Sequence, residues 1–237
     1  KVNAAGTALA YCGYIGGASN DYGCGIAVDL SGNAYVAGAT LSTNAGFPVV
    51  IGPDLTYNGG ISFGDAFVAK VNAAGTSLDY CGYIGSGPDD MANAIAVDTT
   101  GSAYVTGETL SSAVNFPVAV GPDLSFNFGS DAFVAKVVPS GATLAYCGYI
   151  GANGGESGNG IAVDSAGCAY VTGSAHPLLD NQGQPCLPVF PTVVGPDLTW
   201  NGSSDAFVAK VASDGSSLLY CGYIGGSAYD QTYGIAV

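Results

Sequence analysis

The chain has 237 residues, of which 48% are apolar and only 9% are charged, with 18 acidic residues against four Lys and no Arg. Nearly half of the residues can therefore supply a core, which is not the composition of a disordered chain. The formal charge of −14 removes the basic surface that nucleic-acid binding requires and disfavours binding to anionic membranes.

Four segments recur in a fixed order along the chain. Each predicts a β-strand, because it is rich in Val, Ile, Tyr, Phe and Ala and is bounded by Gly, Asn, Asp or Ser. They are strand a, Ile-Ala-Val, at Ile26, Ile95, Ile161 and Ile235; strand b, Ala-Tyr-Val, at Ala34, Ala103 and Ala169; strand c, Asp-Ala-Phe-Val-Ala-Lys-Val, at Asp65, Asp131 and Asp205; and strand d, Tyr-Cys-Gly-Tyr-Ile, at Tyr11, Tyr80, Tyr146 and Tyr220.

Short Gly-containing turns join strand a to strand b and strand c to strand d, which is typical of antiparallel hairpins. Tandem four-stranded antiparallel sheets predict an all-β fold of β-propeller type, with each sheet a blade and about 3.5 repeats present. The expected division is 1–16 for the end of strand c and strand d of a split blade, 17–85, 86–151 and 152–225 for three blades, and 226–237 for strand a of the next.

The ends of the repeat pattern leave one strand b and most of a strand c without a counterpart. We therefore expect the 237 residues to be a section of a longer chain or assembly. A ring would need further blades or a second copy, whereas a head-to-tail contact that does not close would build a filament. No run of about 20 apolar residues is uninterrupted, so no membrane-spanning helix is expected, and no signal peptide is visible at residues 1–6.

The order Asp-Ala-Phe-Val-Ala-Lys, Gly turn, Tyr-Cys-Gly-Tyr-Ile-Gly, then Ile-Ala-Val-Asp and Ala-Tyr-Val-Thr-Gly resembles the SBBP repeat of secreted and cell-surface bacterial proteins. The resemblance covers essentially the whole chain. It implies a β-propeller fold and an extracellular setting, and it carries no catalytic residues to transfer. The Cys of strand d departs from the pattern, where a small polar residue is expected.

The long d-to-a and b-to-c connections emerge at one end of each blade, so a binding site is expected there. Calcium favours oxygen-rich loops, but no EF-hand spacing occurs, and we expect a solvated acidic rim with no metal site or other cofactor. The acids of the d-to-a loops are Asp21, Asp89, Asp90, Glu156 and Asp230.

Strand c carries one Asp and one Lys in every copy, as in Asp65 and Lys70. A feature present once per blade is more often structural than catalytic, and we expect ion pairs at the strand edges between neighbouring blades. The Asp that follows strand a, at Asp29, Asp98 and Asp164, is expected to shape the turn.

No catalytic set is visible in the sequence. His176 is the only histidine, so neither a His-based metal cluster nor a convincing Ser-His-Asp set is available. Glu108 and Glu156 are the only glutamates, and nothing in the sequence places them together for carboxylate-pair hydrolysis. We expect a protein that is not an enzyme.

The chain has seven Cys, four of them at the repeated strand d position. Equivalent positions in separate blades lie too far apart for a disulfide, so these thiols are expected to be buried and unpaired. Of the unrepeated Cys24, Cys168 and Cys186, the last is the candidate for a crosslink within or between chains. Asn201 begins an Asn-Gly-Ser triplet and is the candidate glycosylation site.

These observations favour a non-enzymatic extracellular or cell-surface module with a structural, adhesive or filament-forming role, which binds itself or other surface proteins and glycans. The alternative is a glycan-binding or polysaccharide-degrading propeller with its site on the long-loop end. Aromatic side chains in the loops could stack on sugars or on a neighbouring subunit; they are Tyr22, Tyr57, Phe126, Trp200 and Tyr229.

Overall fold

The computed structural model describes residues 1–112, 114–187 and 189–237, and within them it contains twelve β-strands and no helix. The first sheet consists of β1 (Asp21–Val28), β2 (Ala34–Thr40), β3 (Asp65–Val71) and β4 (Leu78–Ile84). The second consists of β5 (Asp90–Val97), β6 (Ala103–Thr109), β7 (Gly129–Val137) and β8 (Leu144–Ile150). The third consists of β9 (Gly154–Val163), β10 (Ala169–Pro177), β11 (Asp205–Val211) and β12 (Leu218–Ile224).

Each sheet is an antiparallel blade in which the four strands lie in chain order. The predicted fold class is confirmed, since the structure is all-β and its sheets repeat. Gly129 and Ser130 of β7 also pair with Gly154 and Gly155 of β9 in a short parallel contact, which ties the second sheet to the third. The described sheets do not close into a ring.

The turn between strands a and b forms as the sequence predicts. The Asp29 carboxylate accepts hydrogen bonds from the backbone N–H groups of Ser31 and Asn33, both at 2.9 Å. The Asp29 carboxylate also accepts a bond of 3.0 Å from the Tyr35 hydroxyl in strand b. The turn and the strand it leads into are thus fixed by one side chain, and Asp98 and Asp164 repeat the arrangement.

The long b-to-c connection covers the outer edge of each sheet. In the first sheet, the Cys81 N–H donates to the carbonyl of Ile51, and the Tyr83 N–H donates to the carbonyl of Asp54, both at 2.8 Å. An uncovered edge strand presents unpaired backbone groups that invite aggregation, and this segment satisfies them. The second and third sheets carry the same cover at Val120, Asp123, Val194 and Asp197.

The sheets stack through two faces that recur in every blade. We call the side that faces the following sheet the forward face and the opposite side the rear face. The forward face of the first sheet packs on the rear face of the second in one core, and the second packs on the third in another. In the first sheet the forward face comprises Tyr35, Ala37, Ala66, Val68, Tyr80 and Ile84. The small Ala side chains let the sheets lie close together.

The two end segments form no strand of a sheet. Residues 1–20 contain only an isolated bridge between Val2 and Leu9, and residues 225–237 contain only one between Tyr229 and Ser204. The predicted strand d at residues 11–15 and strand a at residues 235–237 form no ladder with another described strand. Nevertheless, Asn159 of β9 donates to the Thr232 carbonyl at 3.1 Å, much as Asn93 of β5 donates to the Gly158 carbonyl at 3.0 Å.

Candidate functional site

The rear face of the first sheet is open over β1. Ile26 in β1 is 70% exposed, whereas its counterparts Ile95 and Ile161 in the other two sheets are each 8% exposed. Val28 at the end of β1 and Leu30 in the turn that follows it are also exposed, at 60% and 90%. We call the patch formed by Ile26, Val28 and Leu30 the open face. Scattered apolar side chains are normal on protein surfaces, but a contiguous apolar face marks an interaction site.

The same face is covered in the two later sheets, which shows what kind of surface fits it. A forward face carries a Tyr in strand b whose hydroxyl reaches the next sheet. The Tyr35 hydroxyl lies 3.3 Å from the carbonyl of Gly101, and the Tyr104 hydroxyl lies 3.4 Å from the carbonyl of Gly167. The ring of Tyr80 in strand d also lies over the c-to-d turn of the second sheet, at Gly141.

A cleft of about 430 Å³ lies on the open face, next to the N-terminal segment. The segment supplies Tyr14 and Ile15 to one wall, and strands of the first sheet supply Ile26, Val36 and Val71 to the other. Beneath the cleft, the rear-face core of the first sheet is already packed by buried aromatic and small residues. They are Phe47, Phe67, Ala69, Cys81 and Tyr83. The cleft therefore lies on the part of the face that a neighbouring sheet covers in the second sheet.

The lysines of strand c lie at the opposite end of the sheets from the acids of strand c. The prediction of ion pairs between neighbouring blades is wrong, because each of these lysines pairs with an acid of its own sheet. Lys136 Nζ lies 3.8 Å from Asp98 Oδ2 and 4.8 Å from the centroid of the Tyr104 ring, all within the second sheet. Lys210 lies 3.1 Å from Asp164 Oδ2, and Lys70 pairs with Asp79. Five residues of extended strand span about 16 Å, so the Asp and Lys of one strand c cannot meet.

The acids of the long-loop end do not all form the expected solvated rim. Asp90, the first residue of β5, and Glu156, near the start of β9, are each 1% exposed. The acids of strand c, Asp65, Asp131 and Asp205, are fully buried. The sequence could not reveal this burial, because the covering groups come from neighbouring sheets and distant loops. Within the described ranges, no three His, Cys, Asp or Glu side chains come together in a group that could hold a metal ion.

Asp89 clamps the first sheet to the second. Its Oδ1 accepts hydrogen bonds of 2.9 Å from four successive backbone N–H groups of the b-to-c loop. These donors are Ile61, Ser62, Phe63 and Gly64. Desolvation raises the pKa of Asp89, but the four hydrogen bonds outweigh it, and the pKa lies below its ordinary value. Among the described junctions, this is the one at which a single carboxylate oxygen accepts four successive backbone N–H groups.

Replacing Asp89 by Asn is expected to lower the free energy of unfolding by about 1–3 kcal/mol, because four backbone donors lose a charged acceptor. Chemical denaturation measures this loss, and hydrogen exchange at residues 61–64 should become faster. Asp79→Asn is the matched control, since it removes one acid from an exposed ion pair with Lys70 and is expected to cost at most about 1 kcal/mol. Equal losses for the two variants would contradict the clamp.

Most of the loop aromatics pack inward. Tyr57 and Phe126 make edge contacts with Tyr83 and Tyr149, and Trp200 packs against the core of the third sheet. Tyr22 makes an edge contact with Phe63, and Tyr229 remains 63% exposed. The repeated loop aromatics therefore hold the loops onto the sheets.

A groove of about 510 Å³ opens at the long-loop end between the second and third sheets. Its lining includes Phe128, which is 72% exposed, together with His176, Trp200 and Ser203. Glu156 lies beside Asp131, and Glu108 instead lines a different pocket with Asp89. Glu108 therefore lies at the junction of the first and second sheets, and Glu156 lies at the next junction.

Three of the four strand d thiols are buried, at Cys81, Cys147 and Cys221, and burial raises the pKa of each. Cys12 is exposed, because it lies in the N-terminal segment without a sheet. Cys186 is half-buried and forms no disulfide with another described residue, so an intermolecular crosslink stays a prediction.

The Asn201 side chain is already engaged. Its Nδ2 donates to Asp197 Oδ2 at 2.7 Å and to the Thr199 carbonyl at 2.9 Å. Asn58 makes the same two contacts in the first sheet without an Asn-x-Ser/Thr triplet. The Asn thus has a repeated role in the loop, and glycosylation at Asn201 stays a prediction.

The repeated blades, their turn network and their stacked faces define a β-propeller-type repeat protein. Residues 13–44 and 80–112 match the model of the SBBP β-propeller repeat, which confirms the resemblance on these segments. Each match runs from strand d of one repeat through strands a and b of the next. No curated protein matches the chain. Among the described residues, no helix has the length and apolar character needed to cross a membrane.

Proposed function

We propose that this chain is a non-enzymatic extracellular or cell-surface structural module that assembles by stacking sheet on sheet. The observation that carries the proposal is the open face, whose counterparts are covered in both later sheets. Complete burial of one Val, Leu or Ile side chain contributes roughly 1.5–3 kcal/mol. Covering the open face is therefore worth several kcal/mol to an assembly.

The partner that fits the open face is a second copy of this chain. The third sheet has a forward face of the same composition as the two covered ones, with Tyr170 and Tyr220 half-buried and Ile224 50% exposed. At the two junctions inside the chain, a forward face packs on a rear face. The same pairing supports a head-to-tail contact between this forward face and the open face of a second copy. A contact of this kind joins different surfaces and builds either a ring or a filament.

The end segments belong to this contact. Residues 226–237 lie over the third sheet in the manner of a following strand a, and Tyr14 and Ile15 border the cleft on the first sheet. In a head-to-tail contact both segments lie between the two copies. The junction is therefore a shared blade to which each copy contributes part.

Sedimentation velocity over a wide concentration range, followed by electron microscopy, tests the proposal. We expect species larger than the monomer to increase with concentration and to appear as rings or filaments with a repeat of one chain. A monomer at every concentration would overturn self-assembly.

The groove lined by Phe128, His176 and Trp200 supports a second candidate function, the binding of a glycan. An exposed aromatic ring beside polar groups suits a sugar ring, which has apolar faces and hydroxyl edges. A glycan array with the wild type and Phe128→Ala tests it, with Phe63→Ala as a control outside the groove. Specific binding that Phe128→Ala abolishes would support this function, and the absence of any bound glycan would exclude it.

A further inference from the structure

Two acidic side chains from successive sheets meet at each junction, on either side of the glycine that follows strand d. At the junction of the first and second sheets, Asp65 Oδ1 and Asp90 Oδ2 lie 3.1 and 2.7 Å from the point that a Cβ on Gly85 would occupy. At the next junction, Asp131 Oδ1 and Glu156 Oε2 lie 2.3 and 3.0 Å from the same point on Gly151. These four side chains are 0–1% exposed.

One oxygen of each carboxyl group accepts a backbone N–H. Asp131 Oδ2 accepts from Asn127 at 2.9 Å, and Glu156 Oε2 accepts from Ala152 at 3.0 Å. The remaining oxygens, Asp131 Oδ1 and Glu156 Oε1, are buried without a hydrogen-bond partner, as is Asp65 Oδ1. A buried polar atom without a partner is costly, so something must satisfy these oxygens.

A proton satisfies them better than a metal ion does. Calcium requires six to eight oxygen ligands, whereas the backbone groups aimed at these carboxyl groups are N–H donors. N–H donors stabilise negative charge and repel a cation. Two carboxyl groups with one proton between them keep a single negative charge, which the N–H donors can hold.

The other charged and titratable groups around the pairs are acids, tyrosines and the buried Cys147 thiol, which faces Asp90. Asp123 and Tyr149 face the pair at Asp131, and Tyr223 faces Glu156. Asp54, Asp89, Tyr57 and Tyr83 surround the pair at Asp65 and Asp90. The lysines lie at the far end of the sheets, so no cation of these surroundings neutralises either pair.

We propose that at least one of the two carboxyl groups at each of these junctions is protonated, so that the stack of sheets is held tightly in acidic to neutral solution and loosens when this proton is lost. After the third sheet, Asp205 Oδ1 is again buried and without a partner among the described residues, whereas Asp230, which accepts the Gly226 N–H at 2.7 Å, is only half-buried. The junctions lie within one chain, so this inference does not depend on self-assembly.

The pKa values have the direction that this protonation requires. Desolvation raises the pKa of Asp65 and Asp131 to about 7, of Asp90 to about 6 and of Glu156 to about 8, against an unfolded value of about 4. Between about pH 4 and pH 8 the folded chain therefore binds more protons than the unfolded chain. The contribution of the pairs is complete below this range and is lost as the pH rises through it.

Thermal unfolding from about pH 5 to about pH 9 tests the proposal. We expect the midpoint for the wild type to fall by about 5 °C or more over this range, and by clearly less for the double variant Asp131→Asn/Glu156→Gln. The matched control is Asp214→Asn, an exposed turn acid that bonds Ser216 and should keep the full fall. A wild-type midpoint that stays constant or rises would overturn the proposal, as would a variant with the full fall.

Infrared spectroscopy of the wild type keeps the test decisive if the double variant does not fold. We expect the C=O absorption of a protonated carboxylic acid at about pH 6, where ordinary Asp and Glu are ionised, and its loss by about pH 9. No such absorption at about pH 6 would overturn the proposal.

Discussion

Ile95→Asp is expected to unfold the protein, whereas Ile26→Asp is expected to leave it folded and to abolish self-assembly. The two isoleucines hold the same position in successive sheets, but Ile95 is 8% exposed and Ile26 is 70% exposed. A carboxylate at Ile95 would be buried in the core between the first and second sheets without a partner, which costs several kcal/mol. Domains of this kind are stable by only about 5–15 kcal/mol.

Circular dichroism and thermal unfolding measure the first effect, and sedimentation velocity measures the second. Ile26→Asp should change the free energy of unfolding of the monomer by no more than about 0.5 kcal/mol, as is usual for surface positions. Ile26→Ala is a control, since it shortens the side chain without adding charge and should weaken assembly less. If Ile26→Asp destabilised the monomer as strongly as Ile95→Asp, the open face would already be covered within one chain.

Gly148→Ala is expected to destabilise the second sheet by about 2–3 kcal/mol or more. A Cβ at this position would lie 2.4 Å from the Cα of Gly121 and 2.8 Å from the carbonyl oxygen of Asp123. Both are backbone atoms of the segment that covers the sheet edge, so that segment would have to move. It would then lose the hydrogen bond of 2.8 Å from the Tyr149 N–H to the Asp123 carbonyl.

Chemical denaturation measures the loss, and hydrogen exchange at residues 144–150 shows whether the edge has been exposed. Gly87→Ala is the matched control, because its Cβ would meet only the Asn58 carbonyl oxygen at an ordinary 3.9 Å. Similar losses of stability in the two variants would mean that the close contact between Gly148 and the b-to-c connection does not contribute to stability.

The strands and hairpins could be predicted because their signals are local and repeat along the chain. A short run rich in Ala, Tyr and Val such as Ala34 to Thr40 predicts a strand on its own, and an Asp that caps its own turn needs only residues within five positions. The glycine of strand d was visible in the sequence as part of a repeat. The sequence did not show that this glycine lies against the b-to-c connection covering the sheet edge, because that connection is tens of residues away in the chain.

The roles of the charged residues could not be predicted for the same reason. Asp65 and Lys70 are near in sequence but lie at opposite ends of an extended strand, and their partners are fixed by other strands. Asp89 and Asp90 are adjacent but lie in different surroundings, because successive side chains of an extended segment point to opposite sides. One is held by loop N–H groups with a lowered pKa, and the other is buried with a raised pKa.

The open face of the first sheet can be tested directly by hydrogen exchange of the wild type at rising protein concentration. If a second copy covers this face, exchange in β1, Asp21–Val28, should slow as larger species form, while exchange in β6 of the second sheet stays constant. Larger species without any slowing in β1 would show that the copies meet elsewhere and would contradict the assembly proposed for this chain.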